Sequence, residues 1–276
     1  MEPTLFKKMD YFNKYKSYME SFANLLNPQK IQLLNLYFES LISNAMPKGF
    51  IGEGKEEENW LRHIFDSILV LQENDVVRLF MESDVVVDLG AGAGLPGIPL
   101  SILFPETEFV LVEAMEKRAK YIKEIIHQLN IGNVCVVNKR IEDIQSNDVT
   151  GNRRLILFRA FLKPLVSLEM ALRVIPANDK KLNEANKTES SKVLYWRSRR
   201  FDISNESLEI SKSQIQQIHL TMIEMGYDIK NYYSLKCPVE MNSRGVYLIE
   251  YQGKSNIKYP RSWARIKKDV FINGIN

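Results

Sequence analysis

The run Val85-Val86-Val87-Asp88-Leu89-Gly90-Ala91-Gly92-Ala93-Gly94-Leu95-Pro96-Gly97 decides the fold. Three consecutive valines read as a buried strand. The glycines after them allow a sharp turn and close approach of a ligand to the backbone. A strand that enters a glycine turn and opens a helix begins a βαβ unit, and open α/β sheets bind ligands at the carboxyl ends of their strands. Short apolar runs recur downstream at Glu108–Glu113, Val134–Val137 and Leu155–Phe158, with helical patterns at Met115–Asn130 and Pro164–Val174 between them. Strands alternating with helices give right-handed crossovers and a parallel sheet. Val193–Trp196 is a fifth strand. A helix over Ser211–Met225 is stopped by Gly226. Tyr227–Leu235 and Val246–Tyr251, joined through Pro238, Asn242 and Gly245, close an antiparallel hairpin. The expected fold is α/β, a seven-stranded, mostly parallel sheet with an antiparallel C-terminal edge hairpin.

Upstream the pattern is helical. Phe22, Leu25 and Leu26, then Ile31, Leu34, Tyr37, Phe38 and Leu41, recur at helical spacing. Asn27-Pro28 supplies an N-cap and a first helical residue. Met46–Asn59, rich in Gly, reads as a loop before a helix from Trp60 to about Phe80, and Ala177–Lys192 reads as a polar surface loop. The chain divides into a helical region over 1–80, a ligand-binding core over 81–252 and a tail over 253–276.

Composition narrows the class. The 276 residues are 45% apolar and 26% charged, enough to bury a full core. No apolar run approaches a membrane span, and the first residues lack the pattern of a secretory signal. Two cysteines, Cys135 and Cys237, and three histidines do not form a disulfide framework or a zinc cage. A cytoplasmic protein without a structural metal is expected. The net charge of +3 hides an asymmetry: Gly253–Asn276 carries six basic residues and one acid, hence +5, which leaves −2 for the rest. Such a tail suits a polyanionic partner.

The glycine loop also indicates the ligand. Gly92-Ala93-Gly94-Leu95-Pro96-Gly97 fits a dinucleotide spacing, but Asp88 would oppose a pyrophosphate and Pro96 removes an N–H that a phosphate would want. Asp88 followed by Gly90, Gly92 and Gly94 suits a cationic ligand instead, and S-adenosylmethionine, with its ammonium and sulfonium, is one. Glu113 ends the second strand 25 residues after Asp88, where an acid can take both ribose hydroxyls. The turn Arg140-Ile141-Glu142-Asp143 after the third strand is placed to flank an adenine.

These residues carry a family resemblance. Arg62-His63-Ile64-Phe65-Asp66-Ser67, Asp88 through Leu100, Glu116-Lys117-Arg118, His127-Gln128-Leu129, Asn133-Val134, Arg140-Ile141-Glu142 and Arg159-Ala160-Phe161 resemble the bacterial 16S ribosomal RNA guanine-N7 methyltransferases, also called glucose-inhibited division protein B. Arg244, Ile249-Glu250 and Tyr259-Pro260-Arg261 extend the likeness to the C-terminus. The resemblance implies a class I, Rossmann-like S-adenosylmethionine-dependent methyltransferase fold. It implies cofactor contacts at Gly90, Leu95, Ile141 and Glu142, and an arginine, Arg159, near the reacting centre. The Arg62–Ser67 motif can serve as a polar clasp to the core or as an RNA contact. The chain departs from the family pattern at Phe158, Met46–Gly52, Trp196–Arg200 and Gly245, all toward the substrate side.

The chemistry agrees. After the fourth strand there is no Asn/Asp-Pro-Pro-aromatic acceptor for an exocyclic amine and no nucleophilic Cys. Guanine N7 needs neither, because its lone pair is free and no proton leaves. Arg62, Lys163, Arg197, Arg199, Arg200, Arg244, Lys258, Arg261, Arg265, Lys267 and Lys268 are the expected contacts to 16S RNA or the small ribosomal subunit. Removal of the tail is expected to weaken RNA binding and spare the cofactor, unless Tyr259 and Trp263 pin the tail to the body. The rival readings are a methyltransferase with another substrate, or a non-catalytic RNA-binding assembly factor.

Overall fold

The structure is a computed structural model that describes residues 11–159, 163–176, 190–196, 212–253 and 255–269. The seven strands are β1 (Val85–Leu89), β2 (Glu108–Val112), β3 (Val134–Val137), β4 (Arg154–Phe158), β5 (Lys192–Trp196), β6 (Tyr227–Leu235) and β7 (Arg244–Tyr251). They form one sheet in the order β3-β2-β1-β4-β5-β7-β6. β1 to β5 run parallel, and β7 inserts antiparallel between β5 and β6. Each strand falls within a residue or two of its sequence pattern. The sheet reverses its winding at β1/β4, so the glycine turn after β1 opens at the switch point where α/β folds hold ligands.

The pleat sends alternate side chains to two cores. Val86, Leu111, Leu155, Leu157 and Leu194 join the cluster that holds Phe22, Leu34, Phe38, Trp60 and Phe65 of the N-terminal region. Val87, Val110, Ile156, Val193 and Ile249 join the opposite cluster. That second face is covered by two helices, Pro164–Ala171 and Lys212–Glu224.

The N-terminal helix α1 (Pro28–Ser40) begins as expected, with the Asn27 side chain accepting the Lys30 N–H at 2.9 Å. The expected loop is shorter than its pattern, because helix α2 (Glu56–Trp60) starts on three glutamates that suit its positive end. The continuous helix expected from Trp60 to Phe80 does not form. Leu61–Phe65 winds as a π-helical turn, Leu69–Gln72 tightens to 3₁₀, and Glu73 is extended before α3 (Asn74–Glu82). The break follows from Gln72. Its amide donates to the carbonyls of Tyr18 and Lys236, both at 2.8 Å, and accepts the Lys236 N–H at 2.9 Å. Those tertiary bonds outweigh a continued helical ladder.

The later helices are α4 (Gly97–Leu103), α5 (Glu116–Gln128), α6 (Pro164–Ala171), α7 (Lys212–Glu224) and α8 (Trp263–Lys268). The described part of the tail is anchored to the body. Glu169 on α6 is fully buried, and its carboxylate takes the Arg261 N–H at 2.7 Å, Nε at 3.0 Å and Nη2 at 2.7 Å. Arg261 Nη1 reaches Asp269 at 2.6 Å, and Ile266 is buried beneath the helix. A carboxylate this deep depends on its cation. Arg261→Ala strands Glu169 and is expected to cost about 3–5 kcal/mol, read as a lowered urea midpoint.

Candidate functional site

A cavity of about 620 Å³ opens over the carboxyl ends of β1, β2, β3 and β4. Its floor is the glycine turn, contributing Gly90, Ala91, Gly92, Ala93 and Leu95. Glu113 follows β2, and Ile141 and Glu142 follow β3. Arg159 follows β4, and Arg62 and His63 come from the N-terminal region. The strand order therefore brings together most of the residues expected at the cofactor.

The loop is held by a small set of bonds. Gly90 and Ala91 donate to the Val112 carbonyl at 2.9 and 3.0 Å, and Tyr37 on α1 donates to the Ala93 carbonyl at 2.9 Å. Asp88 is buried and its Oδ2 accepts the Gly97 N–H at 2.9 Å, fixing where α4 starts. Asp88 and Gly94 lie behind the cavity surface rather than on it. A side chain at Gly97 would strike Asp88 Oδ2 and Leu111, and one at Gly94 would strike Ile98. Gly92 differs: at φ +61°, its missing Cβ points into open space. Glu113 accepts the N–H groups of Gly92 at 2.9 Å and Met115 at 2.7 Å, which orients its carboxylate at the cavity.

The second wall is a polar clasp. The π-helical turn over Leu61–Phe65 breaks the α-helical ladder, a geometry frequent at functional sites. The carbonyls of Arg62 and His63 accept from the Arg159 guanidinium, as does the Ser67 hydroxyl. Asp66 pairs with Arg159 Nε at 3.1 Å and with Arg244 Nε at 2.8 Å, and its main-chain carbonyl takes the Trp196 indole N–H. Of the two roles open to this motif, Asp66 and Ser67 serve the clasp, while Arg62 is left at the rim.

Electrostatics divide the cavity. Burial, then Arg159 and Arg62, push the His63 pKa down to about 3, so the imidazole is neutral. His63 is 7% exposed, and its Nε2 has no hydrogen-bond partner among the described residues. Burial pushes Asp88 up from 3.8 to about 7, with the Gly97 N–H and Arg159 opposing.

The expected RNA contacts scatter. Arg244 and Arg261 have their guanidiniums on Asp66 and Glu169. Lys258 is exposed but pairs with Glu224 at 2.6 Å. Arg265, Lys267 and Lys268 are exposed on α8, and Lys163 is half-buried before α6. Arg197, Arg199 and Arg200 lie outside the described residues. The sequence reading missed Arg118, Lys139 and Trp263 as site residues, yet all three line the cavity, as does Arg140 of the turn placed at the adenine. Arg118 and Lys139 follow β2 and β3 at the carboxyl edge, a signal available in the sequence. Trp263 gave no such signal.

Strand order and glycine loop together define the Rossmann-like α/β fold of the class I methyltransferases. A family model described as rRNA small subunit methyltransferase G matches residues 30–192. The ribosomal RNA small subunit methyltransferase G of Carboxydothermus hydrogenoformans is 32% identical over 202 residues, 67% of this chain and 84% of that one. Its namesake from Bacillus thuringiensis (strain Al Hakam) is 24% identical over 249 residues, 90% and 93% of the two chains. A SAM-dependent methyltransferase from Aquifex aeolicus superposes at a TM-score of 0.43 with 16% identity, covering 69% of this chain and 92% of that one. The chain belongs to the rRNA small subunit methyltransferase G family, and its cofactor is S-adenosylmethionine.

Two outcomes follow for the cofactor. Gly92→Val puts a β-branched side chain at φ +61°, a strained conformation, as well as into the open space, and is expected to weaken S-adenosylmethionine binding roughly tenfold or more, measured by calorimetry beside a melting curve that reads the cost of the strain. Asp88 gives a pH dependence. Its folded-state pKa lies above its unfolded one, so its contribution to stability is complete below 3.8 and is lost as pH rises through about 7. A cationic ligand favours the ionised form. S-adenosylmethionine affinity is therefore expected to rise from about pH 6 to about pH 8, and Asp88→Asn, which keeps an acceptor for Gly97, to flatten that rise.

Proposed function

We propose that this protein transfers the methyl group of S-adenosylmethionine to N7 of a guanosine in 16S ribosomal RNA, in the cytoplasm. The observation that carries this reading is the meeting, in one cavity, of the glycine turn and a cationic rim made by Arg62 and Arg118, with Lys139 and Arg140 beside them paired to Asp148 and Glu142. The turn suits the cofactor, and the rim suits an RNA backbone. An assembly factor that only binds RNA has no use for a glycine turn with Glu113 and Ile141 gathered over it in one cavity.

In this reading Gly90, Gly92 and Leu95 line the cofactor, Glu113 takes the ribose, and Ile141 and Glu142 flank the base. Asp88 and Gly94 act one step back, shaping the turn. When bound, S-adenosylmethionine supplies an electrophilic methyl on a sulfonium. The chain's own part is positioning, exclusion of water and control of the field. Guanine N7 has a lone pair and no proton, so no general base is required, and the purine gains positive charge. Asp66 offsets Arg159, and the neutral His63 adds no cation beside the developing charge. Arg62, Arg118, Lys139, Arg140, Lys163 and the exposed cations of α8 contact phosphate. Arg244 positions Asp66, and Arg261 holds the tail. The N7 edge of a guanine in an RNA helix faces a deep groove closed to side chains, so the target is unpaired or distorted. We take 1–80, 81–252 and 253–276 as the functional division, the first region supplying Arg62 to the rim and Asp66 and Ser67 to the clasp.

The test is transfer of labelled methyl to small ribosomal subunits or 16S RNA, followed by nucleoside analysis. The expected product is N7-methylguanosine. Cys135 is exposed and Cys237 half-buried, and neither lines the cavity, so Cys135→Ser with Cys237→Ser is expected to keep most activity. A product methylated only on cytosine, or a folded double mutant that binds cofactor without turnover, would overturn the reading.

A further inference from the structure

Trp263 belongs to the C-terminal segment, more than a hundred residues beyond the last strand-end turn that shapes the cofactor cavity, yet it lines that cavity. Its position is set from below. Tyr259 and Ile266 are buried on either side of it in sequence, and Arg261 is clamped by the fully buried Glu169. Trp263 itself is half-buried, packed against the apolar cluster that contains Ile141. Lys267 Nζ lies 5.7 Å from the ring centroid. An indole that only plugged the tail into the body would be covered on both faces; this one keeps surface toward the cavity.

The strand order says which part of a ligand it meets. The glycine turn follows β1, Glu113 follows β2 and Ile141 follows β3, and these strands are consecutive neighbours in the sheet. A nucleoside with its ribose at Glu113 extends its base outward to Ile141. We propose that Trp263 is the second wall of the purine site, so that the adenine of the cofactor lies between Ile141 and the indole ring. This rests on the cofactor placement proposed above. A flat aromatic suits a purine by stacking, and Ile141 supplies the apolar face opposite. The C-terminal segment is then part of the cofactor site, contrary to the expectation that its removal spares cofactor binding. The basic residues of α8 beside Trp263 tie that site to the surface an RNA would cross.

The chain's three tryptophans make the inference testable without activity. Trp60 and Trp196 are buried at 0% and 5% exposure, so a ligand in the cavity acts on Trp263. Adding S-adenosylhomocysteine, the demethylated product, to the full-length protein is expected to quench or shift tryptophan emission. Trp263→Phe is expected to abolish most of that change while keeping affinity within a few-fold. Trp263→Ala is expected to weaken S-adenosylhomocysteine binding by about tenfold in calorimetry, with a melting transition before ligand is added that stays cooperative and shows the protein folded at the temperature of the titration. Unchanged affinity in Trp263→Ala, with or without weaker RNA binding, would overturn the purine wall and leave the proposed function standing. Wild-type protein that binds no S-adenosylhomocysteine would overturn both. A silent emission change in wild-type protein that does bind would overturn the purine wall alone.

Discussion

One carboxylate holds the N-terminal region to the catalytic edge of the sheet. Asp66 stands between the guanidiniums of Arg159 and Arg244, and its carbonyl takes the indole N–H of Trp196. Those three partners lie at the end of β4, the start of β7 and the end of β5. A buried ion pair of this kind carries a desolvation cost that good geometry only repays, so its value is specificity of arrangement more than stability. Here the arrangement is the cavity wall. The carbonyls of Arg62 and His63 complete the donor demand of Arg159, and the π-helical turn is the local distortion that accompanies it. Without this knot the N-terminal helices still have an apolar face to bury on the sheet, but nothing fixes Arg62 and His63 at the cavity.

The opposite rim is tied by the same device. Glu169 and Arg261 form a second buried pair, below α8, and set Trp263 over the turn after β3. Two ion pairs far apart in sequence thus place the two side walls, while the sheet supplies the floor. The floor takes its shape from main-chain bonds of Gly90 and Ala91 to Val112 and from two carboxylates, Glu113 on the Gly92 N–H and Asp88 at the entry to α4.

The electrostatic character of the cavity follows from what is buried and what is not. Arg62 and Arg118 keep positive charge at the mouth, where a phosphate backbone can meet it through solvent, while Lys139 and Arg140 are balanced by Asp148 and Glu142. Deeper, His63 is neutral, Asp66 offsets Arg159, and Glu113 and Asp88 bias the field toward a cation. A cationic cofactor and a base that gains positive charge both suit that gradient. A reaction that built up negative charge would not.

Sequence alone determined the floor. The valine run with its glycines, the acid 25 residues on and the turn after the third strand are local signals, since strand period, turn chemistry and helix capping act over a few residues. All seven strands and the edge hairpin were legible for that reason. Tertiary structure decided the walls. The break at Glu73 depends on Gln72 reaching Tyr18 and Lys236, contacts no local propensity encodes. Arg244 and Arg261 look like phosphate contacts in a basic sequence, and only the fold shows the buried carboxylates that take them. Trp263 reads, with Tyr259, as an aromatic among the basic residues of a charged tail. It becomes a cavity residue because Glu169, 94 residues earlier, is sealed beneath it and requires a cation at that spot.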